Sequence, residues 1–287
     1  MTLSMQAVLD YFELQRRPFS PITDPAFLFP APQHRRARTM LDYALMSDAP
    51  FAMITGDAGV GKTLVLREML SSPNDAIRFG LVTNATAGTE MDLLRLVLIA
   101  LGEPPAPTES YAALYAQIEA LLIDVYRTSQ RVVLVLDEAD RYAPEILDHL
   151  GHLTNINYGE HCLFQVILMG QTPIRERIGR TKHEGLAQRI TTHAHISALT
   201  AAETEAYIAH RLEFAGAQDP IFAHDTFAQI FDAASGVPRL INQLCDFGML
   251  YAYGEEARTV TSDHITAVTE ASFLMAVDPP KPLRAVQ

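Results

Sequence analysis

A glycine-rich run near residue 60 carries the strongest chemical signal in the sequence. It fits the pattern GxxxxGK[ST] and consists of Gly56, Asp57, Ala58, Gly59, Val60, Gly61, Lys62 and Thr63. Glycines let the backbone turn tightly, so that consecutive N–H groups can point at a phosphate, and a following helix adds its positive N-terminal end. The run predicts a loop that binds the phosphates of a nucleotide.

Two side chains of this run would act on the phosphates. We expect Lys62 to contact the β and γ phosphates, and we expect the Thr63 hydroxyl to ligate Mg²⁺. Basic residues in this chain are almost all arginines, and its lysines are Lys62, Lys182 and Lys281. The one lysine before Lys182 thus falls at the position that the pattern requires.

A pair of carboxylates ends an apolar run further along the chain. Residues 132–136 read VVLVL, and Asp137 and Glu138 follow directly. In phosphate-transferring enzymes with such a loop, the first acid holds Mg²⁺ and a neighbouring glutamate can polarise the attacking water. We therefore assign Asp137 to the metal and Glu138 to catalysis, and the pair favours hydrolysis over nucleotide binding alone.

Polar residues end two other apolar runs. Gln171 follows the run Leu163–Gly170 and can orient the attacking water or contact the γ-phosphate. Asn84 follows another run and can hold Glu138 in an inactive position. The alternatives are a simple loop residue for Gln171 and a turn-forming asparagine for Asn84.

Arginines supply the remaining candidate residues. A basic cluster precedes the last apolar run and contains Arg175, Arg177, Arg180, Lys182 and Arg189. A guanidinium can stabilise charge on a γ-phosphate, so Arg189 is our candidate for a residue offered to a neighbouring subunit. Arg239, in the run Gly236–Arg239, can reach the nucleotide of its own chain. The alternative for both is an ordinary surface ion pair.

Five short apolar runs alternate with segments of helical period. This alternation predicts an α/β fold, a parallel sheet flanked by helices. The predicted strands are Phe51–Thr55, Ile77–Thr83, Arg131–Asp137, Leu163–Gly170 and His193–Leu199.

The pattern changes after Leu199, where four helical segments follow without a convincing strand. We therefore predict four regions. Residues 1–50 form a mostly irregular leader with one helix from Gln33 to Ser47, and 51–199 form an α/β nucleotide-binding domain. Residues 200–275 form a small helical lid, and the proline-rich 276–287 form a disordered tail.

Composition excludes several classes of protein. Hydrophobic residues make up 48% of the 287 residues and charged residues 20%, which is typical of a globular protein. The net charge of −12 does not favour a protein that coats DNA, although a local basic patch can still bind it. Cys162 and Cys245 give no disulfide framework or CxxC zinc pair.

We find no signal peptide or membrane-spanning run. We therefore expect a cytoplasmic protein, which a partner can hold at the inner membrane.

The motifs together resemble those of the AAA+ ATPases. They are GDAGVGKT, LVLDEAD, LMGQTPIRERI, LAQRI and SGVPRLINQLCD, in that order. More narrowly, the chain resembles the ATPase domain of the ExeA/GspA-like general secretion family over residues 8–275. The leader YFELQRRPFSPITDPAFLFPAPQHRRA and the stretch GVPRLINQLCD carry the narrower likeness.

The resemblance implies a P-loop NTPase fold that binds ATP and Mg²⁺, with a Walker A motif at Gly56–Thr63 and a Walker B motif at Asp137–Glu138. It implies a sensor 1 residue at Gln171, an arginine finger at Arg189 and a sensor 2 residue at Arg239. It also implies that the leader packs near the adenine, and that subunits assemble through their ATP sites into rings or helical oligomers.

Two functions follow from this likeness. The first is an ATP-hydrolysing motor or switch that serves cell-envelope assembly, by export of protein or polysaccharide, through a protein client that the sequence does not identify. The alternative is a TniB/TnsC-like DNA-binding ATPase that regulates transposition. A nucleotide-binding scaffold without turnover is disfavoured by the pair Asp137 and Glu138. The secretion protein continues into a membrane helix and a peptidoglycan-binding region, so we do not expect direct wall binding from these residues.

Overall fold

The computed structural model describes residues 4–22, 24–47, 49–72, 74–83, 87–107, 110–158, 161–179 and 184–271. The chain divides into two compact units. We call one the α/β unit, formed by Pro32–Ala58 and Val65–Ile196. We call the other the helical unit, formed by the described residues of Met1–Ala31, Gly59–Leu64 and Ser197–Gln287. The glycine-rich run thus contributes residues to both. The tail predicted over 276–287 lies outside the described residues.

Five parallel strands form the centre of the α/β unit, which confirms the predicted fold class. They are β1 (Phe51–Gly56), β2 (Ile77–Val82), β3 (Arg131–Leu136), β6 (Phe164–Gly170) and β7 (Ile190–Ile196), in the order β2-β3-β6-β1-β7. A separate antiparallel hairpin pairs β4 (Asn157–Tyr158) with β5 (His161–Cys162). Strands of two residues are too short to show alternation, so the sequence did not predict this hairpin.

Helices precede, connect and flank these strands. They are α2 (Pro32–Met46), α3 (Lys62–Ser71), α4 (Glu90–Ala100), α5 (Tyr111–Arg127), α6 (Pro144–Leu153), α7 (Pro173–Ile178) and α8 (Glu184–Arg189).

The three central strands, β3, β6 and β1, are buried on both faces of the sheet, which explains their continuous apolar sequences. All six residues of β1 are buried, and Val132–Leu136 of β3 are completely inaccessible. Each fully buried aliphatic side chain contributes about 1.5–3 kcal/mol through the hydrophobic effect. Buried leucines such as Leu94 and Leu98 of α4 and Leu122 of α5 belong to the same core. This packing fixes the carboxyl ends of the strands, where the candidate residues follow.

The fifth strand differs from its prediction by three residues at each end. It was predicted over His193–Leu199 and runs from Ile190 to Ile196. It pairs with β1 from Phe51↔Ile190 to Gly56↔Ile196 and ends where β1 ends. Leu199 instead donates its N–H to the Gly236 carbonyl and packs in the core of the helical unit. The apolar character of Leu199 therefore reflects a different core.

The helical unit contains α1 (Met5–Tyr11), α9 (Ala201–Phe214), α10 (Thr226–Ala234), α11 (Pro238–Gly254) and α12 (Ser262–Glu270). Helix α9 begins at a capping box, in which Thr200 and Glu203 satisfy each other's N–H groups. Leader residues Phe12 and Phe19 share one core with the later helices. In the described part of the chain, no helix is both long enough and apolar enough to cross a membrane.

Candidate functional site

The glycine-rich run lies at the junction of β1 and α3. The strand ends at Gly56 and the helix begins at Lys62, so five residues form the loop between them. Gly59 and Gly61 adopt φ angles of 82° and 102°. Such left-handed angles favour glycine because a side chain would crowd the backbone. The positive end of α3 therefore faces a tight glycine turn, which is the geometry of a phosphate-binding loop.

Arg239, predicted to act on the nucleotide, contacts this loop directly. Its backbone N–H donates to the Gly59 carbonyl at 3.3 Å. A Cβ on Gly59 would lie 2.8 Å from the Cβ of Arg239 and 3.1 Å from Cγ1 of Val237. Gly59 is thus required by close packing as well as by its φ angle. This packing sets the start of α11 against the loop within the helical unit.

A cavity of about 560 Å³ adjoins the loop within the helical unit. This volume lies in the range of about 300–1,000 Å³ that is typical of small-molecule sites. Three parts of the chain line it: the loop, the leader, and the later helices. The lining residues include Lys62 and Thr63 of the loop, Phe19, Ser20 and Ile22 of the leader, and Arg239, Asn242 and Gln243 of α11.

A bidentate ion pair ties the leader to α11 at the wall of this cavity. The guanidinium of Arg17 donates from Nε to Oδ1 of Asp246 at 2.9 Å and from Nη2 to Oδ2 at 2.5 Å. This hydrogen bonding raises the pKa of Arg17 above its ordinary value. Bidentate arginine–carboxylate pairs are specific in geometry as well as in charge. The leader is therefore held in one position beside the cavity.

A buried arginine makes a second connection between the leader and the helices. Arg211 of α9 donates from Nε to the Pro18 carbonyl at 2.5 Å and from Nη1 to the Tyr207 hydroxyl at 2.8 Å. The Tyr207 hydroxyl donates in turn to Oδ1 of Asn242 at 2.8 Å. Burial raises the pKa of Tyr207, so this hydroxyl stays protonated at neutral pH. The chain of hydrogen bonds fixes the Asn242 amide in the cavity wall.

The predicted carboxylates follow β3 at the carboxyl edge of the sheet in the α/β unit. The Asp137 N–H donates to the Val82 carbonyl at 2.9 Å, which extends the pairing of β3 with β2 by one residue. Asp137 Oδ1 accepts the Glu138 N–H at 2.8 Å. The Asp137 side chain therefore fixes the backbone of Glu138.

Glu138 has a strained backbone, with φ 54° and ψ 37° in the left-handed region. A non-glycine residue pays about 1 kcal/mol or more for this conformation, and such strain concentrates at functional sites. Its Oε2 lies 3.0 Å from Nη1 of Arg141, and both side chains are partly exposed. Burial, together with the charge of Glu138, raises the pKa of Tyr142. The Glu138 side chain is thus partly exposed at the sheet edge, whereas its Oε2 is buried.

Gln171 is exposed and directly follows β6, the neighbour of β3 in the sheet. Its backbone N–H donates to Oδ1 of Asp140 at 2.8 Å. The contact of Asp140 with Gln171 was not predicted from the sequence. The position of Asp140, three residues after Asp137, placed it near the predicted carboxylates. Only the fold shows that its carboxylate accepts the Gln171 N–H.

A second unpredicted contact links the glycine-rich run to the segment that follows β6. The Thr172 hydroxyl donates to Oδ1 of Asp57 at 3.0 Å. The register of β1 with β6, Thr55↔Gly170, brings these residues to one edge of the sheet. Nothing in the local sequence of Thr172 indicates this partner.

Arg189 ends α8 and lies at the C-terminal end of α6. The two N–H groups of its Nη1 are shared among three acceptors: the Gly151 carbonyl at 2.5 Å, Asn155 Oδ1 at 2.9 Å and Thr154 Oγ1 at 3.1 Å. A cation here also interacts favourably with the negative end of the helix. Asn84, Arg180 and Lys182 lie outside the described residues.

Two histidines on β7 hydrogen-bond to the strand that leads into the loop. The Thr55 hydroxyl lies 2.8 Å from His193 Nε2 and 3.0 Å from His195 Nδ1. Burial lowers the pKa of His193, with smaller contributions from the charges of Arg175 and His195. The neutral imidazole is therefore the form that the folded protein favours.

This arrangement predicts a pH-dependent stability. Because the pKa of His193 is lower in the folded state than its ordinary value, the unfolded chain binds more protons as pH falls through about 6.5. We expect the melting temperature to fall between pH 7.5 and pH 5.5, and we expect His193→Gln to lose part of that fall. His224→Gln, at a side chain that is 92% exposed, is the matched control. An unchanged pH dependence in His193→Gln would contradict the prediction.

The sequence of this chain is similar to those of known proteins. The model of the AAA domain family matches residues 45–178. The chain is 30% identical over 256 residues to General secretion pathway protein A of Aeromonas hydrophila, which covers 89% of this chain and 47% of that protein. The chain thus spans about half the length of this relative.

Solved structures share the fold at lower identity. The Aeropyrum pernix ORC2 protein, in its ADPNP–ADP complexes, matches with a TM-score of 0.69 and 18% identity over 92% of this chain and 73% of that chain. Cdc6p from Pyrobaculum aerophilum matches with a TM-score of 0.66 and 17% identity over 88% of this chain and 70% of that chain. At such identities the likeness establishes the fold alone.

The family match and the five-stranded parallel sheet together identify an AAA domain in this chain. Within that class the chain is related to General secretion pathway protein A. The resemblance stated from the motifs is confirmed.

Proposed function

We propose that this protein binds ATP with Mg²⁺ and hydrolyses it to ADP and phosphate. One observation carries the proposal. A glycine turn at the positive end of α3 adjoins a cavity of about 560 Å³ whose wall includes Lys62, Thr63 and Arg239. Such a loop binds polyphosphates, and the cavity has the size of a nucleotide site.

The residues fit a magnesium nucleotide. Thr63 supplies a hydroxyl and Asp137 a carboxylate, and Mg²⁺ prefers such oxygen ligands together with water and phosphate. When bound, the ion would neutralise charge on the phosphates. Lys62 and Arg239 would contact the phosphates themselves, and the leader and Asn242 would contact the nucleoside.

Glu138 would serve as the general base. Water attacks the γ-phosphorus, the bond from that phosphorus to the leaving oxygen of ADP breaks, and the water proton passes to the Glu138 carboxylate. Gln171 would orient the water by hydrogen bonding. Asp137 supports this role because its carboxylate holds the Glu138 N–H at 2.8 Å.

Lys62→Ala tests the nucleotide site. We expect ATP affinity to fall about 100-fold, because the phosphates lose a charge-assisted hydrogen bond at a fixed position. Affinity is measured by titration with a fluorescent ATP analogue and by calorimetry. Arg127→Ala, at a side chain that is 73% exposed on α5, is the control and should bind normally. Unchanged ATP affinity in Lys62→Ala would refute the site.

We further propose that subunits assemble through their ATP sites and serve cell-envelope export, with a protein client at the inner membrane. The relation to General secretion pathway protein A supports this role. A Glu138→Gln variant that holds ATP should retain such a client, which mass spectrometry of co-purifying proteins would identify. If DNA co-purifies with the variant instead, and if DNA of any sequence stimulates ATP hydrolysis, the result would favour the transposition role. The net charge of −12 argues against that result.

A further inference from the structure

A network of hydrogen bonds joins the loop after β3 to the corner after β6. Asp140 Oδ1 accepts the Gln171 N–H at 2.8 Å. In the opposite direction, Arg177 of α7 donates from Nη1 to the Asp140 carbonyl at 2.5 Å and from Nη2 to the Tyr142 carbonyl at 3.0 Å. Two segments of the chain, residues 140–142 and 171–177, are therefore held together by three hydrogen bonds.

The contact is too close to admit a side chain at the end of β6. A Cβ on Gly170 would lie 2.9 Å from Asp140 Oδ1 and 3.2 Å from the Asp140 nitrogen. The buried ring of Tyr142, 1% exposed, anchors the far end of the loop. The position of the Asp140 carboxylate is thus fixed from both sides.

We infer that Asp140 is a positioning residue, whose carboxylate sets the backbone of Gln171 relative to Glu138. The inference rests on the proposed function, because the roles of Gln171 and Glu138 belong to it. Asp140 itself would touch neither ATP nor water.

The sheet explains why such a connection is needed. Strands β3 and β6 are neighbours, with Leu136 opposite Leu168, so Glu138 and Gln171 leave the sheet on adjacent strands. Beyond the last paired residues, the strand hydrogen bonds no longer hold the two segments in register. The Asp140 carboxylate supplies an acceptor at this point, and a charged acceptor makes a stronger hydrogen bond than a neutral one.

Two substitutions at Asp140 separate positioning from direct chemistry. Asp140→Asn keeps an oxygen that can accept the Gln171 N–H, whereas Asp140→Ala removes it. We expect kcat for ATP to fall roughly 10- to 100-fold in Asp140→Ala, which is the effect of losing a hydrogen bond to a charged group. In Asp140→Asn we expect a fall of about threefold, and in both variants nearly unchanged ATP affinity. Asp124→Ala, at an exposed residue of α5, is the control and should match the wild type.

A double-mutant cycle tests whether Asp140 acts through Gln171. If it does, Asp140→Ala combined with Gln171→Ala should be no slower than the slower single variant. Multiplying effects would show that the two residues act independently, which would overturn the inference. Asp140→Asn as slow as Asp140→Ala would also overturn it, because an oxygen acceptor for the Gln171 N–H would then not restore the position of Gln171.

Hydrogen exchange measures the contact without relying on activity. The amide of Gln171 should exchange faster in Asp140→Ala than in the wild type, and Asp140→Asn should restore its protection. Equal exchange in all three proteins would overturn the inference. Phosphate release by Lys62→Ala at the rate of the wild type would instead overturn the proposed function. Exchange at Gln171 distinguishes the two failures, since it reports the contact in either case.

Discussion

Replacing Glu138 with glutamine is expected to reduce ATP turnover about 10³-fold while ATP still binds. Glutamine has the shape of glutamate, but its amide cannot accept a proton from water. Lys62, Thr63 and Asp137 are unchanged in the variant, so the contacts proposed for the phosphates and the metal persist. The result should therefore be a protein that holds ATP without hydrolysing it.

The local structure makes this substitution a clean test. The strained backbone of Glu138 is held by the hydrogen bond from its N–H to Asp137 Oδ1. This hydrogen bond does not depend on the Glu138 side chain. The ion pair with Arg141 is lost, but both partners are partly exposed, and such pairs contribute about 0–1 kcal/mol. A large loss of turnover would therefore reflect the missing base and not unfolding.

Phosphate release and ATP affinity are measured on the same preparations. Glu119→Gln, at an exposed position of α5, makes the same chemical change away from the sheet edge and should behave as the wild type. Normal hydrolysis by Glu138→Gln would remove Glu138 from the proposed mechanism. If Glu138→Gln does not bind ATP, Glu138 contributes to nucleotide affinity instead.

The parts of the site that the sequence predicts are those that local patterns encode. The glycine run between a buried strand and a helix, and two acids after VVLVL, each depend on backbone geometry within a few residues. Their placement at β1, α3 and β3 follows from the parallel sheet. Arg239 was also predicted at the start of a helix, and α11 begins at Pro238, the residue before it.

The contacts that the sequence did not predict join distant segments. Arg17 and Asp246 are separated by 229 positions, and Asp57 and Thr172 by 115. A polar side chain in an irregular segment has many partners available to it, and only packing of the whole chain selects one. Packing also explains the error in the prediction of β7, because the apolar Leu199 was assigned to this strand but lies in another core. Sequence patterns indicate burial, but they do not indicate which core buries a residue.

Arg189→Ala is expected to slow ATP hydrolysis about 10³-fold with little change in ATP affinity, if Arg189 serves the neighbouring subunit's ATP. The structure is compatible with this role, because all three of its hydrogen bonds among the described residues come from Nη1. The bonds to the end of α6 would hold the guanidinium while another nitrogen reaches a phosphate. Thr154→Val removes one of these bonds and keeps the guanidinium, so it controls for a merely structural effect on α6.

Mixing the two slow variants tests whether the arginine acts between subunits. In a mixture of Glu138→Gln and Arg189→Ala, some interfaces join an intact Glu138 of one variant to an intact Arg189 of the other. Random pairing of equal amounts gives about one such interface in four, so a corresponding part of the activity should return. Specific activity should also rise with protein concentration, because assembly is concentration-dependent.

Two other outcomes would assign Arg189 a different role. If Arg175→Ala, and not Arg189→Ala, restores activity when it is mixed with Glu138→Gln, the exposed Arg175 is the residue that acts between subunits. No recovery on mixing, with activity constant on dilution, would show that each chain hydrolyses ATP alone and that Arg189 only anchors α6.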